Sequence, residues 1–268
     1  MKFKTVILTC VLLAIVGYKQ PVNKKENTIN SQTEVVQSED FSDNLKNWAE
    51  GINNNDINAI KNLYDPNGVK IISSDSILEN SAQIADYYMI RKGSITSAES
   101  IFTIEANKER GINYELVRYT RDNLKEFVGI VIWSMENERI IREFEYTEEY
   151  TSESKKIDTT NIAQRRNLWV ELCNTNNPEN LVKQLYSNNT MYFNHKPIVQ
   201  GTEALIREYG YMNNENYELN LHPMKLEVVN ASTAFEIGQC SGSYNGKYIL
   251  VWKKQTDGNW KVFIDSNI

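Results

Sequence analysis

The hydrophobic pattern divides the chain into helical segments followed by β-rich runs. Leu45, Trp48, Ala49 and Ile52 recur at the spacing of one helix face, and Ser42 is the expected N-cap. Two further helices are predicted. One has its N-cap at Asp56 and its apolar face at Ile57, Ile60, Leu63 and Tyr64. The other has its N-cap at Ser81 and its apolar face at Ile84, Ala85 and Tyr88. A turn at Pro66-Asn67-Gly68, a short strand at 69–72, and β-rich runs at 101–104, 114–119, 127–133 and 140–146 complete this half.

The second half of the chain repeats this order. Its helix faces are formed by Leu168, Trp169, Leu172 and Cys173, by Leu181, Val182, Leu185 and Tyr186, and by Leu205, Ile206 and Tyr209 behind a Thr202 cap. Strands are expected at Lys225–Val229, Ala234–Cys240, Lys247–Lys253 and Trp260–Asp265. Helices followed by an antiparallel meander predict an α+β fold, with helices packed on one face of a curved sheet.

The two halves also correspond at the level of single residues. Trp48 and Trp169 lie 121 residues apart, and an Asn-rich segment and a Leu-Tyr pair follow each of them. This period is too long for a solenoid and indicates two copies of one complete domain. The predicted division is a signal segment 1–17, a disordered tether 18–40, a first domain 41–150, a linker 151–160 and a second domain 161–268.

The N-terminal residues predict export. Lys2 and Lys4 precede an apolar run at 6–17 that is too short to span a bilayer and fits a secretory signal. Residues 15–17 resemble those before the lipidated Cys of a bacterial lipoprotein signal, but Tyr18 stands where that Cys would be. A cleaved signal and an uncleaved anchor both stay open. The expected address is the periplasm or cell envelope, with membrane association only through this segment.

Charge and motif content exclude several classes of function. The net charge is −6 and the chain has no Lys/Arg cluster, so nucleic acid is not an expected partner. The sequence lacks a P-loop, a G-x-G-x-x-G loop, a G-x-S-x-G elbow and an H-E-x-x-H motif, so no cofactor is predicted. His195 and His222 are the only histidines, and their spacing predicts no metal site. Cys173 and Cys240 would form either a disulfide or two buried thiols.

The residues at 246–252 and 258–265 resemble the last strands of the SnoaL-like (polyketide-cyclase-like) branch of the nuclear transport factor 2-like superfamily. The resemblance covers both halves and is stronger in the second. It implies two tandem cone-shaped domains, each a curved antiparallel sheet wrapped around three N-terminal helices, with a pocket between sheet and helices. Members include isomerases, cyclases, dehydratases and domains without any reaction, so the resemblance does not choose an activity.

Four residues are candidates for acid–base chemistry in such a pocket. Asp265 ends the last strand, where cyclase-like members place an acidic residue, and an apolar pocket would raise its pKa. Glu145 has the corresponding place in the first half. His195 lies in a segment that often borders the pocket mouth in this fold. Glu236 lies inside a β-rich run and faces either the pocket or solvent.

Aromatic residues of the second half are expected to line the pocket, with a place in the hydrophobic core as the alternative. They are Trp169, Tyr186, Tyr192, Tyr209, Tyr248 and Trp252. The resulting hypothesis is an exported protein of unassigned activity that binds a small apolar molecule in the second domain. The alternatives are an isomerase-, cyclase- or dehydratase-type enzyme and an envelope protein-interaction module. The two copies are expected to form an internal pseudo-dimer, with a homodimer as the alternative.

Overall fold

The computed structural model describes residues 41–91, 93–122, 124–195 and 197–267. The predicted signal segment 1–17 and tether 18–40, including Tyr18, therefore lie outside the described residues. Within the described part, no helix is long and apolar enough to cross a membrane.

Each half contains three α-helices and six strands in the same order. In the first half these are α1 Ser42–Asn53, α2 Ile57–Leu63, β1 Tyr64–Ser73, β2 Ser76–Leu78, α3 Ser81–Ile90, β3 Ile95–Asn107, β4 Ile112–Arg121, β5 Lys125–Glu136 and β6 Arg139–Glu149. In the second half they are α4 Thr160–Cys173, α5 Pro178–Leu185, β7 Tyr186–Phe193, β8 Val199–Gln200, α6 Thr202–Glu208, β9 Leu219–Asn230, β10 Thr233–Gly242, β11 Lys247–Lys254 and β12 Trp260–Asn267. Short 3₁₀ helices at Ser152–Lys156 and Tyr209–Asn213 precede α4 and follow α6.

The helix starts confirm one predicted cap and correct three. The Asp56 side chain accepts hydrogen bonds from two backbone N–H groups of the first turn of α2, as predicted. Ser81 is the first residue of α3, and the cap is Asn80, whose side chain accepts a bond from a backbone N–H three residues later. Ser42 and Thr202 are likewise the first residues of their helices. The pattern thus locates these starts to within one residue.

The expected turn at Pro66-Asn67-Gly68 lies inside a strand. β1 starts at Tyr64, which was assigned to the preceding helix, and pairs in parallel with β6. Its register shifts between Tyr64 and Val69, so the proline and glycine form an irregularity within the strand. The early start of β1 matters because it aims the Tyr64 hydroxyl at Glu145 in the interior of the domain.

The two sheets have the same topology. Their strand orders are β2-β1-β6-β5-β4-β3 and β8-β7-β12-β11-β10-β9. All neighbours pair antiparallel except β1 with β6 and β7 with β12, which are parallel. The helices of each half pack on one face of their own sheet and form a core there. Trp48, Ile60 and Ile84 belong to the first of these cores, and Trp169, Leu181 and Leu205 belong to the second.

A third core lies between the opposite faces of the two sheets. It contains Phe144 and Tyr146 from β6 with Phe193, Phe235 and Phe263 from the second half. The rings of Phe144 and Phe193 stack with centroids 5.0 Å apart. Alternating side chains of central strands such as β5 and β11 thus bury one face against the helices and the other against the second sheet. The oligomeric state of the whole chain stays a prediction.

Candidate functional site

The second domain places one carboxylate deep between its helices and its sheet. Asp265 lies on β12, opposite Leu250 on β11 and Tyr192 on β7. It is 3% exposed, and its Oδ2 accepts a hydrogen bond of 2.6 Å from the Tyr186 hydroxyl. The Tyr209 hydroxyl donates to the same oxygen. Asp265 is therefore held by two phenols from different elements, the start of β7 and the 3₁₀ helix after α6.

A second layer orients these phenols. The indole N–H of Trp169 on α4 donates to the Tyr186 hydroxyl at 2.9 Å. The Tyr186 and Tyr209 oxygens are 3.1 Å apart. Tyr186 reaches this position because α5 ends at Leu185 and the chain turns directly into β7. The network joins three of the sequence-predicted aromatic residues to the sequence-predicted acid.

The surroundings of Asp265 bring the pKa of its carboxyl closer to neutral pH. Burial raises the pKa of its carboxyl to about 6, and the hydrogen bonds from Tyr186 and Tyr209 hold it below a still higher value. Burial also raises the pKa of both tyrosines well above the ordinary phenol value, and the charge of Asp265 adds to this. The two phenols therefore stay protonated donors, while Asp265 can change its protonation state close to physiological pH.

A cavity of about 350 Å³ opens beside Asp265. Its wall is largely aromatic and aliphatic, with polar groups at a few positions. The lining residues are Trp169, Tyr192, Asn194, Glu208, Tyr211, Met212, Tyr217, Leu219, Leu221, Cys240, Ser243, Tyr244, Tyr248, Leu250, Asp265 and Asn267. Asn267, two residues beyond Asp265 on the same face of β12, accepts a bond of 2.9 Å from the Tyr192 hydroxyl.

The predicted lining residues separate into three groups. Trp169, Tyr192 and Tyr248 line the cavity. Tyr186 and Tyr209 are fully buried and contact Asp265 instead. Trp252 is also fully buried, and its indole N–H donates to Glu236 at 3.0 Å. The lining aromatics that the sequence analysis missed, Tyr211, Tyr217 and Tyr244, belong to a 3₁₀ helix and loops without a recognisable period.

Glu236, a predicted acid–base candidate, is occupied by structural contacts. Its two oxygens accept bonds of 2.7 and 2.8 Å from the Arg166 guanidinium. Tyr248 and Trp252 donate to it as well, at 2.7 and 3.0 Å. A fully buried carboxylate with four donors has a stable bidentate ion pair and little capacity for another partner. This geometry favours a structural role for Glu236.

His195, the other predicted candidate, lies away from the Asp265 cavity. Its backbone has a positive φ of 64°, and its Nδ1 is 2.7 Å from Oε2 of Glu143 in the first domain. It lines a separate cavity of about 470 Å³ between the two domains, together with Asp65, Glu79 and Glu143. Any chemistry of His195 would therefore act on a ligand other than one beside Asp265.

The first domain carries a carboxylate at the position of Asp265, with different neighbours. Glu145 on β6 accepts a bond of 2.6 Å from Tyr88 and one from Tyr64, which mirrors the two phenols of the second domain. Lys70 also donates to it at 2.6 Å, and Arg142 lies 3.3 Å away. Burial alone would raise the pKa of Glu145, but the two cations and the hydrogen bonds bring it down to about 2.

The equivalent register positions explain why the two sites differ. Lys70 pairs with Glu145 across β1 and β6 in the way that Tyr192 pairs with Asp265 across β7 and β12. The first domain thus has an ammonium where the second has a phenol. The sites share their geometry, but one is a permanent ion pair and the other is a titratable acid beside an open cavity.

The remaining expectations concern metals and thiols. Among the described residues, no group of three or more His, Cys, Asp or Glu side chains could hold a metal ion. Cys173 and Cys240 are free and buried, and burial raises the pKa of each thiol to about 12. Both are therefore inert apolar-like residues of the second core, and Cys240 also lines the cavity.

The architecture of each half can be compared with that of known proteins. Each half combines three helices with a curved six-stranded sheet and keeps a space between them, as the resemblance implied. Each half is similar in architecture to nuclear transport factor 2-like proteins. No family model matches the chain, and no curated protein matches it either.

Solved structures that are similar to part of this chain come from several bacteria. A nuclear transport factor 2-like protein of unknown function from Shewanella oneidensis is 15% identical, with a TM-score of 0.38, and the match covers 41% of this chain and 98% of that one. A nuclear transport factor 2-like superfamily protein from Salmonella enterica is 18% identical, with a TM-score of 0.35 over 41% of this chain and 89% of its own. At these values the likeness concerns the fold and carries no argument about activity.

Proposed function

We propose that the second domain binds a small, largely apolar molecule in the cavity beside Asp265. The observation that carries this proposal is a cavity of about 350 Å³ whose aromatic wall ends on one buried, titratable carboxylate. Binding sites for small molecules commonly combine a mostly apolar wall with a few placed polar groups. The first domain differs from the second in this respect, since its equivalent carboxylate is neutralised by Lys70 and Arg142.

Asp265 sets the polar requirement on the ligand. Both tyrosine bonds go to Oδ2, and no hydrogen bond to Oδ1 is found among the described residues. The ionised carboxylate would accept a hydrogen bond at Oδ1 from a ligand hydroxyl or amide. We therefore expect a ligand with one donor group attached to an apolar ring system.

Catalysis by proton transfer is the second candidate, and the pKa of about 6 for Asp265 favours it. Of the three acid–base residues predicted in the second domain, only Asp265 lines this cavity. His195 faces a different cavity and Glu236 is held by Arg166. Binding accounts for the site without a second acid–base group and is the function we propose.

A titration with 1-naphthol, an apolar bicycle with one hydroxyl, tests the proposal. Naphthol is expected to quench Trp169 fluorescence saturably, because that indole lines the cavity. Leu221→Arg should abolish the effect by placing a guanidinium in the cavity. Ala98→Arg is the matched control, since Ala98 pairs with Tyr119 in the first domain as Leu221 pairs with Cys240 in the second. Equal quenching in both variants would contradict binding at this cavity.

Naphthalene, which lacks the hydroxyl, separates the contribution of Asp265 to binding from that of the apolar wall. We expect it to bind about tenfold more weakly than 1-naphthol at pH 8, where Asp265 is ionised, because one hydrogen bond to a charged group is lost. The difference should shrink in Asp265→Asn. A naphthalene affinity equal to that of naphthol would show that Asp265 does not contact the bound molecule.

We also propose that the chain is exported through its N-terminal segment, as a signal or an anchor. The charged and apolar pattern of residues 2–17 supports this. Cell fractionation of the full chain, compared with a variant that carries Val11→Arg and Leu13→Arg, is the test. Loss of export in that variant is expected, and an unchanged distribution would exclude the proposal.

A further inference from the structure

The mouth of the first domain carries positive charge, although the chain as a whole has a net charge of −6. A small cavity of about 90 Å³ lies there between β1, α3, β4 and β5. Of the described residues that line it, the charged ones are Lys70, Arg91 and Arg121, all of them cations. The rest of the wall combines three tyrosines and Thr147 with the apolar side chains of Ile71, Ile72 and Phe127.

Lys70 is the deepest of these cations and has unused donors. Its side chain is 2% exposed, and Nζ donates to Oε1 of Glu145 at 2.6 Å. An ammonium has three N–H donors. Glu145 is its one hydrogen-bond acceptor among the described residues, and the rings of Tyr87 and Tyr88 lie 5.4 and 5.0 Å from Nζ. Two donors of a buried charge therefore remain for a molecule in the cavity.

The two arginines form the entrance. The guanidinium of Arg91 lies over the Tyr87 ring, 4.5 Å from its centroid, which positions it beside the cavity. Arg121 donates from Nη2 to the Arg91 carbonyl at 2.8 Å and so ties the end of α3 to β4. The Nε of Arg121 is buried and has no hydrogen-bond partner among the described residues.

The carboxylates around this entrance are already engaged. Glu149 pairs with Lys125 at 2.9 Å, and Glu148 accepts from Lys253 of the second domain. Asp122 accepts a bond of 2.8 Å from the Ser94 backbone N–H. Glu145, which does not line the cavity, is shared between Lys70 and Arg142. The positive charge of Arg91 and Arg121 is therefore not cancelled by a direct carboxylate partner among these residues.

Size limits the class of ligand. A cavity of about 90 Å³ accommodates a group of a few heavy atoms. A wider surface cavity of about 520 Å³ shares Arg91, Arg121, Phe127 and Thr147 with it and opens to solvent. A carboxylate could therefore reach Lys70 while the rest of its molecule stays in the outer cavity. Guanidinium groups match the planar geometry of carboxylates.

We propose that the mouth of the first domain binds a small carboxylate, whose oxygens accept hydrogen bonds from the Lys70 ammonium and the Arg91 guanidinium. This site is separate from the Asp265 cavity and opposite in charge. The first domain thus has a binding role of its own, and the ion pair of Lys70 with Glu145 holds the ammonium in place for it.

A titration with ¹³C-labelled acetate, followed by NMR at constant ionic strength with chloride as the replaced anion, tests this site. Acetate is expected to bind saturably to the wild-type chain. Arg91→Gln should weaken binding about tenfold, because a charged hydrogen-bond donor is lost at an exposed position that does not support the fold. Arg139→Gln is the matched control, since its guanidinium also lies on the first domain but donates to the Asn62 carbonyl.

Asp265→Asn distinguishes this proposal from the one for the second domain. Acetate binding should be unchanged in that variant, while any contribution of the Asp265 cavity would alter it. The carboxylate site is excluded if acetate shows no saturable binding up to about 50 mM, a limit that corresponds to less than 2 kcal/mol of affinity. Equal affinities of Arg91→Gln and Arg139→Gln would exclude it as well.

Discussion

Single residues decide which of the two equivalent carboxylates can titrate. Glu145 and Asp265 occupy the same register position and each accepts bonds from two phenols. Lys70 and Arg142 lower the pKa of Glu145 to about 2, whereas burial raises that of Asp265 to about 6. Opposite pKa shifts in one fold therefore follow from the presence or absence of cations beside the buried carboxylate.

The raised pKa of Asp265 predicts how the stability of the chain depends on pH. Its pKa rises from the ordinary 3.8 to about 6 on folding, so the folded chain holds this proton more tightly than the unfolded chain. Its contribution to stability is therefore full below pH 4 and is lost as the pH rises through 6, by about 3 kcal/mol in total. Urea unfolding of wild type and Asp265→Asn across pH 4–7 should show this difference. A constant gap between the two curves would contradict the shift.

Glu145 is expected to behave in the opposite way. Its lowered pKa contributes stability that is present above pH 4.5 and is lost as the pH falls toward 2. Glu145→Gln leaves two buried cations without their partner, which should cost about 3–5 kcal/mol at pH 7. Asp265→Asn is the matched control, and it is expected to cost far less at that pH. Similar losses in both variants would argue against a permanent ion pair in the first domain.

At the scale of elements, β10 depends on a glycine for the shape of the cavity wall. A Cβ on Gly238 would lie 2.3 Å from the Tyr248 ring and hydroxyl. Tyr248 lines the cavity and donates to Glu236 at 2.7 Å, so it cannot move without breaking that bond. The Tyr248 ring on β11 thus packs so closely against Gly238 on β10 that no side chain fits at that position.

Gly238→Ala should therefore displace Tyr248. We expect a loss of about 1–3 kcal/mol in urea unfolding, since the added methyl group overpacks this wall, and a weaker affinity for 1-naphthol. Gly210→Ala is the control, because no atom lies within 4 Å of a Cβ at Gly210. Unchanged stability and affinity in Gly238→Ala would show that Tyr248 has another position available.

For the whole molecule, the face-to-face packing of the sheets covers the surface that each domain would otherwise expose. Phe144 and Phe193 stack in this core, and Arg118 of the first domain pairs with Glu227 of the second at 2.8 Å. A large apolar sheet face left open to water would favour self-association. Here each domain covers the apolar sheet face of the other, so a second copy of the chain is not required to bury that face.

We therefore expect the chain to be monomeric. Light scattering on residues 41–268 should give a mass near that of one copy, also at concentrations of about 100 μM, far above the dissociation constants of stable dimers. A stable homodimer would contradict this expectation and would call for another exposed apolar surface. Phe193→Ala, which opens the buried face, is expected to increase association relative to Arg118→Ala at its edge.

The sequence by itself determined the three helices and the later antiparallel strands of each half, because hydrophobic periodicity reflects which face of a helix or strand is buried. It did not predict β2, β7 or β8. The spacing of Trp48 and Trp169 indicated the duplication, and the place of Asp265 near the end of its strand indicated the candidate acid. Three of the four predicted helix caps were off by one residue, and the turn predicted at Pro66-Asn67-Gly68 lies inside β1, since such signals are short and local.

Only the tertiary structure decided what each candidate contacts. Glu236 and Asp265 are both acids on strands of the second domain, but Arg166 reaches one and two phenols reach the other. His195 lies in the predicted loop, yet its ring meets Glu143 of the first domain. These partners are distant in sequence, and the pKa of a buried group depends on the charges and donors that folding brings to it.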